Sequence, residues 1–141
     1  MEITANAIQT VQTGSNILFN TTPVGGCGSI IHRDGSGIVT LRGLTNTQDR
    51  ARFRVMIGAN VALPTGTTPI TPISFAIAIN GEPIQTSAMV STPAAVNQYN
   101  NIFGALFLDV PAGCCSQIAV QNLSPTSVEV QGANLIIERV A

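Results

Sequence analysis

Apolar and polar side chains alternate along much of the chain, and the clearest example spans residues 51–63. A period of two places successive side chains on opposite faces of a β-strand. The series that predicts the buried face is Ala51, Phe53, Val55, Ile57, Ala59, Val61 and Leu63, and the opposite face begins with Arg50, Arg52 and Arg54. This pattern predicts one long strand with a core-facing side.

A hairpin is predicted around Asn80-Gly81, which directly follows an alternating segment at 73–79. Both residues tolerate the positive φ angles of a two-residue hairpin turn. The segment after the turn, 82–89, is the expected return strand. A loop rich in Pro, Thr and Gly at 64–72 connects this hairpin to the long strand.

Residues 102–110 are apolar on both faces. Ile102, Leu106, Leu108 and Val110 share one face, and Phe103, Ala105 and Phe107 share the other. A strand that is apolar on both faces must be covered on both. We expect one face to meet the core and the other, with Phe103, Ala105 and Phe107, to meet a neighbouring subunit.

The remaining segments are short and are separated by turns that contain Gly or Pro. Strands are predicted at 8–13, 16–20, 27–33, 37–42, 116–122 and 127–140, with a turn at Asp34-Gly35-Ser36 and a β-bulge where the alternation changes phase near Gly132. The pattern contains no long helical stretch. It predicts an all-β jelly-roll sandwich of about ten antiparallel strands, with one domain at 1–141 and residues 1–16 as an N-terminal arm or a first short strand.

Charge is unusually scarce, at 9% of residues, and all six cations are arginine. A monomer of this mass should expose about 6,900 Å², or roughly one charge per 500 Å². Such a surface favours association with copies of itself. The net charge of −1 gives no attraction to nucleic acid, and no apolar run suits membrane insertion. The start of the chain lacks the pattern of a signal peptide, so we expect synthesis in the cytoplasm and arrival at an exterior surface by assembly or lysis.

Catalytic, cofactor and metal motifs are not recognisable in the sequence, so no enzyme activity and no cofactor are expected. His32 is the only histidine. It either flanks a turn or forms a dyad with Cys27 or Cys114 in space. The pair Cys114-Cys115 is compatible with two ordinary small residues, a vicinal disulfide, or a soft-metal site at a threefold axis.

Two sets of residues are candidates for recognition. The first set is Arg50, Arg52 and Arg54, for which three roles are open. They are a solvated outer face, or they pair with an acid such as Asp109 or Glu129 across a subunit interface, or they bind an anion. Tyr99, in a polar loop with Asn97 and Asn100, either contacts a glycan or host receptor or packs on its own subunit.

The end of the chain, Ala133-Asn134-Leu135-Ile136-Ile137-Glu138-Arg139-Val140-Ala141, resembles the last strand in the C-terminal domain of collagen-like spore-surface (exosporium) glycoproteins. Ile79-Asn80-Gly81-Glu82-Pro83-Ile84 resembles the hairpin of that family, and the order of the surrounding strands is also similar. The resemblance covers residues 17–141. It implies a fold similar to tumour necrosis factor and the globular head of complement component q, packed as a compact homotrimer.

The same resemblance implies a non-catalytic role on the outside of a larger particle. The spore glycoproteins carry a collagen-like stalk, and this sequence contains no such tract. It looks equally like small trimeric accessory proteins encoded by phages and prophages. The expected function is therefore a structural component of a virion or spore surface, and the alternative is a trimeric head that binds a host receptor or glycan.

Overall fold

Twelve strands form the fold in the computed structural model, which describes residues 1–43, 45, 49–113 and 115–141. The strands are β1 (Glu2–Ala5), β2 (Gln9–Val11), β3 (Thr21–Val24), β4 (Ile30–His32), β5 (Val39–Arg42), β6 (Arg50–Ala62), β7 (Ile73–Ile79), β8 (Glu82–Pro83), β9 (Met89–Ser91), β10 (Asn100–Pro111), β11 (Cys115–Asn122) and β12 (Val128–Arg139). The first sheet has the order β10-β6-β12-β1-β3, with β2 also paired to β12. The second has the order β4-β5-β11-β7-β8, with β9 also paired to β7. All pairs are antiparallel, and the two sheets form the predicted jelly-roll sandwich.

The long strands β6, β10 and β12 form one half of the first sheet. The β6–β10 register is unbroken from Asn100 opposite Val61 to Pro111 opposite Arg50. The β6–β12 register shifts between Gln131 and Asn134. Gly132 lies at this shift with φ of 63°, which confirms the predicted bulge.

The core lies between the sheets and follows the predicted alternation. Phe53, Val55 and Ile57 of β6 are fully buried, whereas the arginines of that strand point outward. The buried cluster draws on both sheets and includes Phe19 and Phe75. The chain exposes 6865 Å², close to the area expected for a folded monomer of its mass.

The return strand predicted at 82–89 is wrong as one continuous element. The chain pairs with β7 at Glu82–Pro83 and again at Met89–Ser91, and a 3-10 turn at Gln85–Ser87 separates the two. Ser87 explains the interruption, because its hydroxyl accepts from the Ile77 N–H (3.0 Å) and donates to the Ile84 carbonyl (2.7 Å). One side chain thus replaces the backbone partner that a continuous strand would supply.

The N-terminal region also differs from its prediction. Residues 16–20 form single bridges, Asn16 with Gln121 and Phe19 with Ser36, instead of a strand. The pairing of Glu2–Ala5 and Thr21–Val24 was not predicted from the sequence. These segments are short, and they become strands only because β1 pairs with the distant β12 and β3 in turn pairs with β1.

Candidate functional site

β10 is an edge strand of the first sheet, and it carries two exposed aromatic side chains on the outer face of that sheet. Phe103 and Phe107 are 64% and 65% exposed, and Ala105 lies between them on the same side. Cross-strand register places Met56 of β6 opposite Ala105, and Ile136 of β12 opposite Met56. We call these five residues the apolar face. It is the surface that the sequence pattern predicted for Phe103, Ala105 and Phe107, and Met56 and Ile136 are additions from strand pairing.

Ion pairs border the apolar face at one end. Arg52 makes two hydrogen bonds to Asp109, at 2.8 and 3.1 Å, and Arg50 Nε lies 3.2 Å from the same carboxylate. Arg54 Nη2 donates to Glu138 Oε1 at 2.9 Å. The hydrogen bond from Arg52 lowers the pKa of Asp109, and the same bond raises the pKa of Arg52.

These pairs close within one chain. Asp109 lies directly opposite Arg52 in the β6–β10 register, and Glu138 lies opposite Arg54 in the β6–β12 register. The sequence suggested Asp109 as a partner across subunits, but did not suggest Glu138. Because the cations already have carboxylate partners, a contacting surface need not supply their counter-charge.

At the other end of the sheet, Tyr99 precedes β10 and donates its hydroxyl proton to Glu129 Oε2 at 3.0 Å. Burial and then this hydrogen bond raise the pKa of Tyr99. Asn97 has φ of 60° and donates from Nδ2 to Thr65 Oγ1 at 2.7 Å, while Asn100 is the exposed first residue of β10. The three residues therefore have different environments. Tyr99 contacts β12, Asn97 bonds to the loop that contains Thr65, and Asn100 belongs to β10.

His32 is the last residue of β4 and lies beside the turn at 34–36. This is the turn-flanking position that one of the two sequence interpretations predicted. Its Nε2 is 3.0 Å from the Ser36 carbonyl, and its Nδ1 is 3.8 Å from Asp34 Oδ1. The exposed Cys27 precedes β4 in the chain, and Cys115 begins β11. Cys114 lies outside the described residues.

In the part of the chain that is described, no group of three or more His, Cys, Asp or Glu side chains is arranged to hold a metal ion. Likewise, none of the described helical segments has the length and hydrophobicity required to cross a bilayer.

Comparison with known proteins identifies the fold. No protein-family model and no curated protein matches the chain. Among solved structures, the chain is similar to the Eiger TNF of S. frugiperda, with a TM-score of 0.69 and 12% identity over 100% of this chain and 92% of that one. It is also similar to the globular domain of zebrafish complement 1qA, with a TM-score of 0.57 and 10% identity over 96% and 93%. The chain therefore has the jelly-roll fold of tumour necrosis factor and complement-q heads.

Proposed function

We propose that the protein is a non-enzymatic structural component that forms a compact homotrimer through the apolar face. The observation that carries this proposal is the exposure of Phe103 and Phe107, about two-thirds each, on one side of an edge strand. Isolated exposed apolar residues are ordinary, but a contiguous set that also includes Met56 and Ile136 is typical of an interaction site.

A second copy of the chain is the occupant that the surface chemistry favours. The ion pairs of Arg52 with Asp109 and of Arg54 with Glu138 leave the border of the face locally neutral. Copies of the face can therefore approach one another around a shared axis without a net repulsion between like charges. The scarcity of charge over the whole chain, 9% of residues, supports the same conclusion. The threefold arrangement rests on the resemblance of residues 133–141 to the trimeric spore-surface domain.

The oligomeric state tests this proposal directly. Light scattering at micromolar concentration should give three times the 14.6 kDa chain mass. Phe107→Arg should give monomer or aggregate, because a guanidinium would be buried without a partner. The matched control is Val90→Arg, which changes an equally exposed residue (64%) on β9 of the other sheet and should remain trimeric. A monomeric wild-type protein would refute the trimer.

We further propose that this trimer lies on the exterior of a virion or a bacterial spore. The support is the same resemblance, together with a surface poor in charge. The genes beside this one provide a rapid test: capsid and tail genes favour the virion, and sporulation genes favour the spore. Mass spectrometry of the corresponding purified particles should then detect the protein at a multiple of three copies, and its absence from both kinds of particle would contradict the proposal.

A further inference from the structure

A groove crosses the outer surface of the second sheet, away from the apolar face. Its floor is made of small side chains, because Ala78 of β7 and Ala119 of β11 lie opposite each other and point outward. Longer side chains stand around them, among them Asn80 and Gln117 at one end and Gln121 at the other. The difference in side-chain length leaves a depression of about 370 Å³.

This depression continues into a second one of about 670 Å³, which shares Gly14, Asn16 and Ile38 as lining residues. The second depression adds the amides of Gln9 and Gln12 and several hydroxyl groups. We call the two together the amide groove. Of the described residues that line it, none carries a charge. Both volumes lie in the range of roughly 300–1,000 Å³ that is usual for ligand sites.

Several amide groups in the groove remain available for a ligand. Among the described residues, the side chains of Asn16 and Gln117 have no hydrogen-bond partner. Gln121 is oriented by its Nε2, which donates to the Gly14 carbonyl at 3.2 Å. Its Oε1 is buried and has no partner in the described part of the chain. A buried acceptor without a donor is costly, and a hydroxyl group in the groove would satisfy it.

We propose that the amide groove binds a neutral oligosaccharide. Sugar hydroxyls both donate and accept hydrogen bonds, and a carboxamide offers one acceptor and two donors in the same way. The described lining residues include no cation for an acidic sugar and no carboxylate for a basic ligand. Ile38 and Leu18, which are 41% and 50% exposed, provide apolar contact for the C–H faces of sugar rings. The groove shares no lining residue with the apolar face, so a trimer formed through that face would leave the groove open.

The test is a printed array of neutral oligosaccharides beside sialylated and uronic-acid glycans, followed by calorimetric titration with the strongest neutral binder. Wild-type protein should bind neutral glycans and not the acidic ones. Gln117→Ala should weaken that binding about tenfold by removing hydrogen bonds, and the double variant with Asn16→Ala should weaken it about a hundredfold. Neither side chain has a hydrogen-bond partner within the described part of the chain, so both variants should fold.

The matched control is Gln85→Ala, which removes an exposed amide outside the groove and should bind as the wild type does. Wild-type protein that retains no neutral glycan at millimolar concentration would overturn the proposal. So would binding that survives the double variant but is lost in Tyr99→Ala, because the site would then be the loop before β10. Light scattering on the same samples separates the two proposals, since a monomer that still binds neutral glycan would contradict only the trimer.

Discussion

Replacing Phe107 by alanine should shift the assembly equilibrium toward the monomer, by an amount that can be worked from the exposed area of the Phe107 side chain. The residue is 65% exposed in the single chain, which corresponds to about 130 Å² of a phenylalanine. At about 25 cal/mol per Å², burying this surface contributes about 3 kcal/mol for each subunit. A trimer contains three such rings, so the truncation should cost about 9 kcal/mol per trimer.

This energy predicts a large change in the concentration at which the trimer dissociates. Because each 1.4 kcal/mol is a factor of ten, about 9 kcal/mol changes the three-body dissociation constant by between six and seven orders of magnitude. The midpoint concentration varies as the square root of that constant, so it should rise about a thousandfold. Sedimentation velocity from nanomolar to high-micromolar concentration measures this midpoint.

The matched control is Val90→Ala, which truncates an equally exposed apolar residue on β9 of the second sheet. Its midpoint should be that of the wild type. The fold should survive in both variants, since neither side chain belongs to the buried core. Identical dissociation curves for Phe107→Ala and Val90→Ala would refute the assignment of the apolar face as the interface.

Three further predictions concern the single chain. Asn122→Ala should lower the free energy of unfolding by about 3 kcal/mol, because the fully buried amide of Asn122 makes three hydrogen bonds to backbone groups. Urea titration measures this loss, and an unchanged urea midpoint would contradict the prediction. Asp109→Asn should lower the melting temperature at pH 7, and this deficit should shrink as the pH falls below 3.8. The hydrogen bond from Arg52 lowers the folded-state pKa of Asp109 below its ordinary 3.8, so the stabilisation is lost as the pH falls through that lowered value. A deficit that does not change with pH would exclude the ion pair as its cause. Tyr99 is the only tyrosine in the sequence, so an absorbance titration should give it a pKa above 10.0. Glu129→Gln should reduce that pKa without returning it to 10.0, because burial raises the pKa of Tyr99 more than the hydrogen bond does. A wild-type pKa of 10.0 would contradict the burial and the hydrogen bond of Tyr99.

The local alternation of the sequence predicted much of the sandwich correctly. The faces of β6 and β10 agree with prediction because side-chain direction in a strand depends only on position along that strand. The turn at Asn80-Gly81 is equally local: both residues adopt positive φ, as a two-residue hairpin requires. The bulge at Gly132 was visible as a change of phase in the pattern.

Elements that depend on distant partners were predicted less well. β1 and β3 carry little intrinsic strand signal. β1 pairs with β12, more than a hundred residues later in the chain, and β3 pairs with β1. The continuous return strand failed because Ser87 takes over a backbone hydrogen bond, which alternation cannot reveal. Asn122 appeared as an ordinary polar strand end, although its side chain is fully buried among backbone partners.

The sequence by itself determined which side chains share a strand face, and therefore that Phe103, Ala105 and Phe107 would point away from the core. Only the tertiary structure decided what lies beside them, because register between strands is set by the packing of the whole sandwich. It alone paired Arg54 with Glu138, 84 residues apart. It also brought Gly14, Ile38 and Gln117 to one groove, which no local pattern indicates because each lies in a different segment of the chain.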